Sequence, residues 1–214
     1  NRFMKRDGVP DSTEQATTYL DSLAGDDSDA PGTSRERRLA YVAEAPKMVD
    51  FLVGQGIRLN RVSFWPDYYD ELPGGLKTSR TVVAELFDIR ELGSWSKRLQ
   101  PGFLPAPMKL EEAIKLPFYR KSWAIKKILL RVAVRTILSR LTGKRLVSAG
   151  MALQGLMLRA SLEAGVDIRP ESPVSELVVE NDAVTGVVTV KGGRPWRIGA
   201  RLGVLINAGG FART

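Results

Sequence analysis

Residues 202–214 read LGVLINAGGFART, and this stretch decides the fold class. Val204-Leu205-Ile206 is a short apolar run that closes on Asn207-Ala208 and then two glycines. An apolar run bounded by glycine is the pattern of a strand buried in a parallel sheet. Paired glycines at its carboxyl end imply a sharp turn or a close approach by another group. In open α/β sheets ligands bind outside the carboxyl ends of the strands. The stretch is therefore expected to form one wall of a binding site.

The segment before it supports an α/β reading. Met151 to Glu163 has helical spacing, with Leu153, Leu156, Met157 and Leu162 as its expected core side and Gly165 as its stop. Val166-Asp167-Ile168 reads as a short strand, making half of a βαβ unit. Val174–Glu180 and Val184–Lys191 alternate and are joined by the turn-prone pair Asn181-Asp182. Gly192-Gly193 and a third strand, Trp196–Arg201, complete an antiparallel meander that feeds the final run. The class expected is α/β with an added antiparallel sheet.

The chain has no cysteine and no histidine. Disulfides, thiolate and imidazole metal sites, Cys nucleophiles and Ser-His-Asp arrangements are excluded within these residues. Any chemistry falls to Tyr, Arg, Lys, Asp, Glu, Ser or a bound cofactor. No secretory signal and no long uninterrupted apolar run is present, so a reduced, cytoplasmic setting is expected. A first residue that is not Met, and an end at a strand–turn, are the features expected of a piece of a longer chain.

The net charge of +8 is local. Between Lys109 and Arg145, eleven Lys and Arg face only Glu111 and Glu112, a net +9. The remainder is near neutral, which argues against a nucleic-acid-binding domain. Leu116 to Leu141 reads as one basic amphipathic helix, with Lys127, Arg131 and Arg135 recurring every four residues. Such a helix either packs on its own domain with a solvated basic face or lies on an anionic membrane surface.

The first ten residues read as loop. Asp11 or Ser12 opens a first helix, with Leu20 and Leu23 on its apolar side, and Ala24–Gly32 is an acidic connector. Ser34 opens a second, with Leu39, Val42, Ala43, Met48, Phe51 and Leu52 near helical spacing and Pro46 expected to bend or break it. Ile57-Arg58-Leu59 reads as a strand. Residues 61–102 are aromatic-rich and interrupted by Pro66, Pro73, Gly74, Gly75 and Pro101. A segment of that kind is a functional loop or lid, or a long loop pinned by its aromatics.

These blocks resemble a known family. GMALQGLMLRASLEAGVDIRPESPVSELVVENDAVTGVVTV with LINAGGFART after it is similar to the flavin-binding domain of the fumarate reductase and 3-ketosteroid dehydrogenase flavoproteins. FWPDYYDELPGGLKTSRTVVAELFDIRELG, residues 64–93, and AEAPKMVDFLVGQGI resemble the 3-ketosteroid dehydrogenase branch. The resemblance implies part of a Rossmann-like FAD-binding domain carrying the meander and a long helical and irregular insertion. Its divisions would be a helical part at 1–60, the aromatic loop and basic helix at 61–149, and the helix, parallel strands and meander at 150–214.

The resemblance also implies a FAD-dependent dehydrogenase. Hydride would pass from a ring carbon to the flavin while a base takes a proton beside the ketone. Tyr68, or else Tyr69, matches a tyrosine that supports the catalytic tyrosine of another domain. A free phenol titrates near about 10, so such a base needs help from its neighbours. Arg80 matches the arginine after Pro-Gly-Gly, although Ser79 stands where the family has glycine. Val174 matches a backbone contact to the adenine edge, and Ala208, Gly209 and Gly210 match the turn passing close to the cofactor. A steroid-like substrate is implied, with Phe64, Trp65 and Phe103 available as apolar lining.

The family's G-x-G-x-x-G turn is absent from these residues: Gly54-Gln55-Gly56 lacks the third glycine and follows a helix. The isolated segment is therefore expected to hold FAD weakly and to be inactive by itself. Two alternatives stay open, a fumarate-reductase-like enoate reductase and a membrane-surface module acting through residues 116–141.

Overall fold

The computed structural model describes residues 1–25, 30, 32–78, 80–102, 106–118, 122–207 and 209. They form two compact units, Asn1–Val166 and Asp167–Thr214.

The first unit opens with α1 (Arg2–Arg6), where a loop is expected. Asn1 caps it by accepting from the amides of Phe3 and Met4, and both of those side chains are buried. So short a helix is marginal by itself; burial of its apolar pair holds it. α2 (Thr13–Ala24) starts at Ser12, whose hydroxyl accepts from the Gln15 amide at 3.1 Å. α3 (Arg35–Gly54) runs continuously across Pro46, without the break expected there. Proline forfeits one amide there, and the remaining turns carry the helix. The expected apolar face is also displaced: Val49 is buried, whereas Leu39, Met48 and Phe51 are exposed.

β1 (Leu59–Arg61) and β2 (Val82–Ala84) pair antiparallel in the register Leu59↔Ala84 and Arg61↔Val82. β3 (Phe87–Asp88) pairs antiparallel with β4 (Leu146–Val147). A 3-10 segment, Ile89–Arg98, follows β3. After α4 (Leu110–Lys115), the single helix expected at 116–141 is a 3-10 turn at Leu116–Phe118 and then α5 (Trp123–Leu141). α6 (Ala149–Glu163) then closes the unit's core. It ends in a Schellman arrangement: the Val166 amide donates to Ser161 O and the Gly165 amide to Leu162 O, with Gly165 at φ 74°.

The core gathers Phe3, Val49, Ile57, Leu59, Phe87, Ile89, Leu92, Ala152 and Leu156. Phe87, fully buried, lies against Gly155 of α6. A Cβ at position 155 would lie 2.6 Å from a Phe87 ring carbon. The core side of α6 is therefore Ala152, Gly155 and Leu156, while Leu153 and Met157, expected inside, are exposed.

The second unit is the meander expected from sequence: β5 (Glu176–Glu180), β6 (Ala183–Lys191) and β7 (Arg194–Gly199), all antiparallel. Asn181 and Asp182 have φ of 49° and 60°, and Gly192 and Gly193 have 57° and 76°. Both connections thus have the two left-handed residues of a type I′ hairpin turn. The parallel strands are a correction. Val166–Ile168 is not a strand. Val204–Ile206 is not one either, and Leu205 and Ile206 are 92% and 65% exposed. A strand needs a neighbour to take its amides and carbonyls, and no described strand pairs with these runs.

Gly155→Val is expected to destabilise the first unit by about 2 kcal/mol through overpacking against Phe87. Phe87→Ala should cost about 3–5 kcal/mol. Urea denaturation of the two variants and their combination should show less than additive losses, because the sites touch.

Candidate functional site

The loop that joins β1 to β2 carries PDYY, and its backbone is closed at several levels. The Val62 amide donates to Thr81 O at 3.1 Å, Asp67 N to Leu76 O at 2.9 Å, and Leu76 N to Asp67 Oδ2 at 3.0 Å. Gly74, at φ 80°, sits against α2 so closely that a Cβ would lie 2.4 Å from Gln15 O. The Tyr69 amide donates to the Tyr19 hydroxyl at 3.1 Å, a second tie to α2.

Arg80 fastens this loop. Its guanidinium donates to Asp11 Oδ1 from Nε at 3.1 Å and Nη2 at 2.9 Å, to Asp67 Oδ2 from Nη1 at 2.6 Å, and to Gly74 O at 3.1 Å. The Arg80 side chain is 18% exposed, Asp11 13% and Asp67 8%. The fork of guanidinium donors meets two carboxylates and a carbonyl at once, which lysine cannot reproduce.

Tyr68 and Tyr69 stand together near the tip, ring centroids 4.9 Å apart and 72° inclined. Tyr68 is 87% exposed and Tyr69 46%. The three residues that sequence grouped thus share one loop but divide its work: the tyrosines are presented outward, and Arg80 is committed to the base that presents them. Phe64 and Trp65 meet edge to face at 6.5 Å in the same loop, and Phe103 lies outside the described residues.

Sequence reasoning missed Asp11 and Asp67 as the partners of Arg80. A carboxylate beside Tyr68 was visible in the PDYY block, but Asp11, 69 positions from Arg80, carried no local signal. A cavity of about 750 Å³ opens beside this clamp, lined by Asp11, Tyr19, Tyr41, Val49, Asp67 and Arg80 among others.

A second cavity of about 660 Å³ lies at the start of α6, against Ile89, Leu99, Arg145, Ser148, Gly150 and Met151. Ser148 is buried yet makes no side-chain cap bond to the helix it precedes. Ala149 beside it has φ 51°, a left-handed conformation uncommon for a residue with a Cβ. Asp88 braces this wall, its carboxylate accepting from the Arg90 guanidinium at 2.7 Å and from the Arg145 amide at 3.0 Å. The hydrogen bonds from Arg90, more than its other neighbours, hold the Asp88 carboxyl down at about 2.

The residues expected to contact a cofactor fall within the second unit. Val174 is 59% exposed and precedes β5. Its neighbour Ser175 donates to Val188 O at 2.9 Å, while the Val174 amide and carbonyl make no hydrogen bond among the described residues. Gly209 has φ 78°, and a Cβ there would meet nothing within 4 Å. Ala208 and Gly210 lie outside the described residues.

Arg80→Lys is expected to lower stability by about 3 kcal/mol, because two largely buried carboxylates lose their shared partner. Limited proteolysis should then cut within residues 66–78 before elsewhere. Asp88 supplies a pH signature. Its folded value lies below the unfolded carboxylate value, so its contribution is present at neutral pH and lost as pH falls toward 2. Asp88→Asn should cost about 2 kcal/mol at pH 7, and the denaturation curves of variant and parent should converge in strong acid.

The family model described as FAD binding domain matches residues 2–214. A 3-oxosteroid 1-dehydrogenase of Mycolicibacterium smegmatis is 32% identical over 221 residues, covering 99% of this chain and 38% of the relative. A 4-oxocyclohex-2-ene-1-carboxylate 5-dehydrogenase of Sinomonas cyclohexanicum is 32% identical over 214 residues, covering 94% of this chain and 35% of the relative. The crystal structure of 3-ketosteroid Δ1-dehydrogenase from Sterolibacterium denitrificans in complex with 1,4-androstadiene-3,17-dione matches with a TM-score of 0.81 at 29% identity. It covers 95% of this chain and 38% of that one. The chain thus spans 38% of the length of the first of these relatives. With a family model matched from residue 2 to residue 214, the chain belongs to the FAD binding domain family and is related to the 3-oxosteroid 1-dehydrogenases.

Proposed function

We propose that this chain supplies the flavin-binding part of a FAD-dependent dehydrogenase of the 3-ketosteroid Δ1 type. The observation that carries the reading is the structural match at TM-score 0.81 over 95% of the chain. The Rossmann-like reading of the fold belongs to the same proposal.

In the reaction proposed, a ring carbon next to the ketone loses a proton to a base, and the neighbouring carbon loses a hydride. A carbon–carbon double bond conjugated with the carbonyl remains. FAD, when bound, would accept the hydride and, with it, the two electrons of the oxidation. The amide and carbonyl of Val174 would hold the adenine edge, and Ala208, Gly209 and Gly210 would let the chain pass beside the cofactor without a bulky side chain. Tyr68 would stabilise the base that takes the proton, donating or accepting through its phenol. Tyr69 meets Tyr68 edge to face. Arg80 acts through the loop, holding Asp67 and with it the backbone that carries both tyrosines. We propose Arg80 as a positioning residue, with its charge already shared between Asp11 and Asp67.

The fumarate-reductase-like alternative runs the redox step in reverse. The relatives cited are named as dehydrogenases of cyclic ketones, which favours oxidation of a ring over reduction of an enoate. The smaller ring of the Sinomonas relative keeps a monocyclic ketone in contention as substrate.

Tyr68→Phe in the native flavoprotein is expected to lower turnover about 10²-fold while steroid binding changes little; turnover equal to the parent would remove Tyr68 from the mechanism. Gly209→Val should elute from purification without its yellow colour, and a variant that retains flavin would place the turn away from the cofactor.

A further inference from the structure

α2 turns one face toward the PDYY loop. Gln15, Tyr19 and Ser22, spaced as one helix face requires, each meet a residue of that loop. A Cβ on Gly74 would lie 2.4 Å from Gln15 O, the Tyr19 hydroxyl accepts from the Tyr69 amide at 3.1 Å, and Ser22 Oγ reaches Pro73 O at 3.3 Å. Of these three contacts, the bond to Tyr19 is the one that reaches the tyrosine pair. The Tyr19 side chain is half-buried, and the Arg80 guanidinium lies 5.8 Å from the centre of its ring. The ionic clamp at the loop's base therefore also steadies the ring that carries this hydroxyl.

The amide that Tyr19 holds belongs to the peptide between Tyr68 and Tyr69. A peptide unit is planar, so fixing its N–H sets the last backbone torsion of Tyr68 and the first of Tyr69 together. Tyr68 is 87% exposed, and its ring meets that of Tyr69 at 4.9 Å. A side chain with so little packing takes its direction from the backbone beneath it. We propose, on the reading of Tyr68 as support for the base, that Tyr19 is a positioning residue of the reaction. Its hydroxyl, through the Tyr69 amide, holds the Tyr68 phenol in the direction the base requires. Arg80, Asp11 and Asp67 set where the loop stands, and Tyr19 sets which way its tip faces. A tyrosine suits the place because its ring spans the gap from helix to loop and its tip accepts a bond. Phenylalanine would span the same gap and leave the amide to water, which replaces most of the bond's energy but none of its direction.

The test is Tyr19→Phe in the native flavoprotein, with Tyr68→Phe and Tyr19→Leu beside it. Tyr19→Phe removes the acceptor and keeps the ring, whereas Tyr19→Leu removes both. Hydrogen exchange at the Tyr69 amide should become about five- to tenfold faster in Tyr19→Phe, with a urea midpoint close to the parent's. Its kcat with a 3-ketosteroid should fall by a similar factor, about five- to tenfold, while KM stays within about twofold. In a Tyr68→Phe background, Tyr19→Phe should lower kcat no further, because both act through one phenol. Unchanged exchange at Tyr69 overturns the inference, and so does parental turnover in Tyr19→Phe beside a slow Tyr68→Phe; either result leaves the flavin reading standing. A loss confined to Tyr19→Leu also overturns it, assigning Tyr19 to packing. A parent whose flavin no 3-ketosteroid reduces, with exchange at Tyr69 rising as expected, overturns the flavin reading and the catalytic role of Tyr19 with it.

Discussion

The first unit depends on the contact of Phe87 with Gly155. Phe87 lies in a two-residue strand, too short to hold itself, and its ring has no solvent exposure. The absence of a side chain at Gly155 lets that ring lie against α6, and the Arg159 guanidinium covers it at 5.6 Å. From this point the chain is constrained in both directions. Asp88, next in sequence, binds Arg90 and the amide of Arg145, which fixes the 3-10 segment and β4. On the other side of the core, Ile57 and Leu59 lead into β1 and so position the root of the PDYY loop.

That loop adds a second constraint of another kind. Its root is set by the apolar core, but its reach is set by the ionic cluster of Arg80, Asp11 and Asp67. A partly buried guanidinium shared by two carboxylates has few alternative arrangements that keep all charges paired. The loop is therefore held at its base while Tyr68 and Tyr69 face outward. A catalytic side chain on a loop needs such support, because the entropy of the loop is otherwise lost at the moment of reaction. Arg80 directs its guanidinium donors to Asp11, Asp67 and the Gly74 carbonyl in this arrangement.

Local signals were legible in the sequence where they were complete in themselves. Asn181-Asp182 and Gly192-Gly193 specify type I′ turns through their own left-handed residues, so the meander could be read directly. Gly165 likewise announced the end of α6. Signals that need a distant partner were read less well. Val204–Ile206 has the composition of a buried strand, but composition does not supply the neighbour that would pair with it. Pro46 reads as a bend or break because the loss of one amide is local, while the packing that sustains α3 is not. Residues 2–6 looked like loop because a single helical turn has no periodicity to detect. Of the site, the tyrosines, Arg80 and Val174 were visible in motif blocks. The partners of Arg80 were not, and the role of Arg80 changes once Asp11 and Asp67 are seen around it.

The family membership and the geometry meet in one proposal, a flavin oxidising a ring ketone beside a clamped tyrosine loop. The most direct measurement is anaerobic addition of a 3-ketosteroid to the native flavoprotein with no other electron acceptor, following the visible flavin band. The account predicts bleaching of the band and one new ring double bond per flavin reduced. A flavin band unchanged by the steroid but bleached by a monocyclic oxo acid would contradict the steroid assignment. A native protein that neither contains nor takes up FAD would contradict the account as a whole.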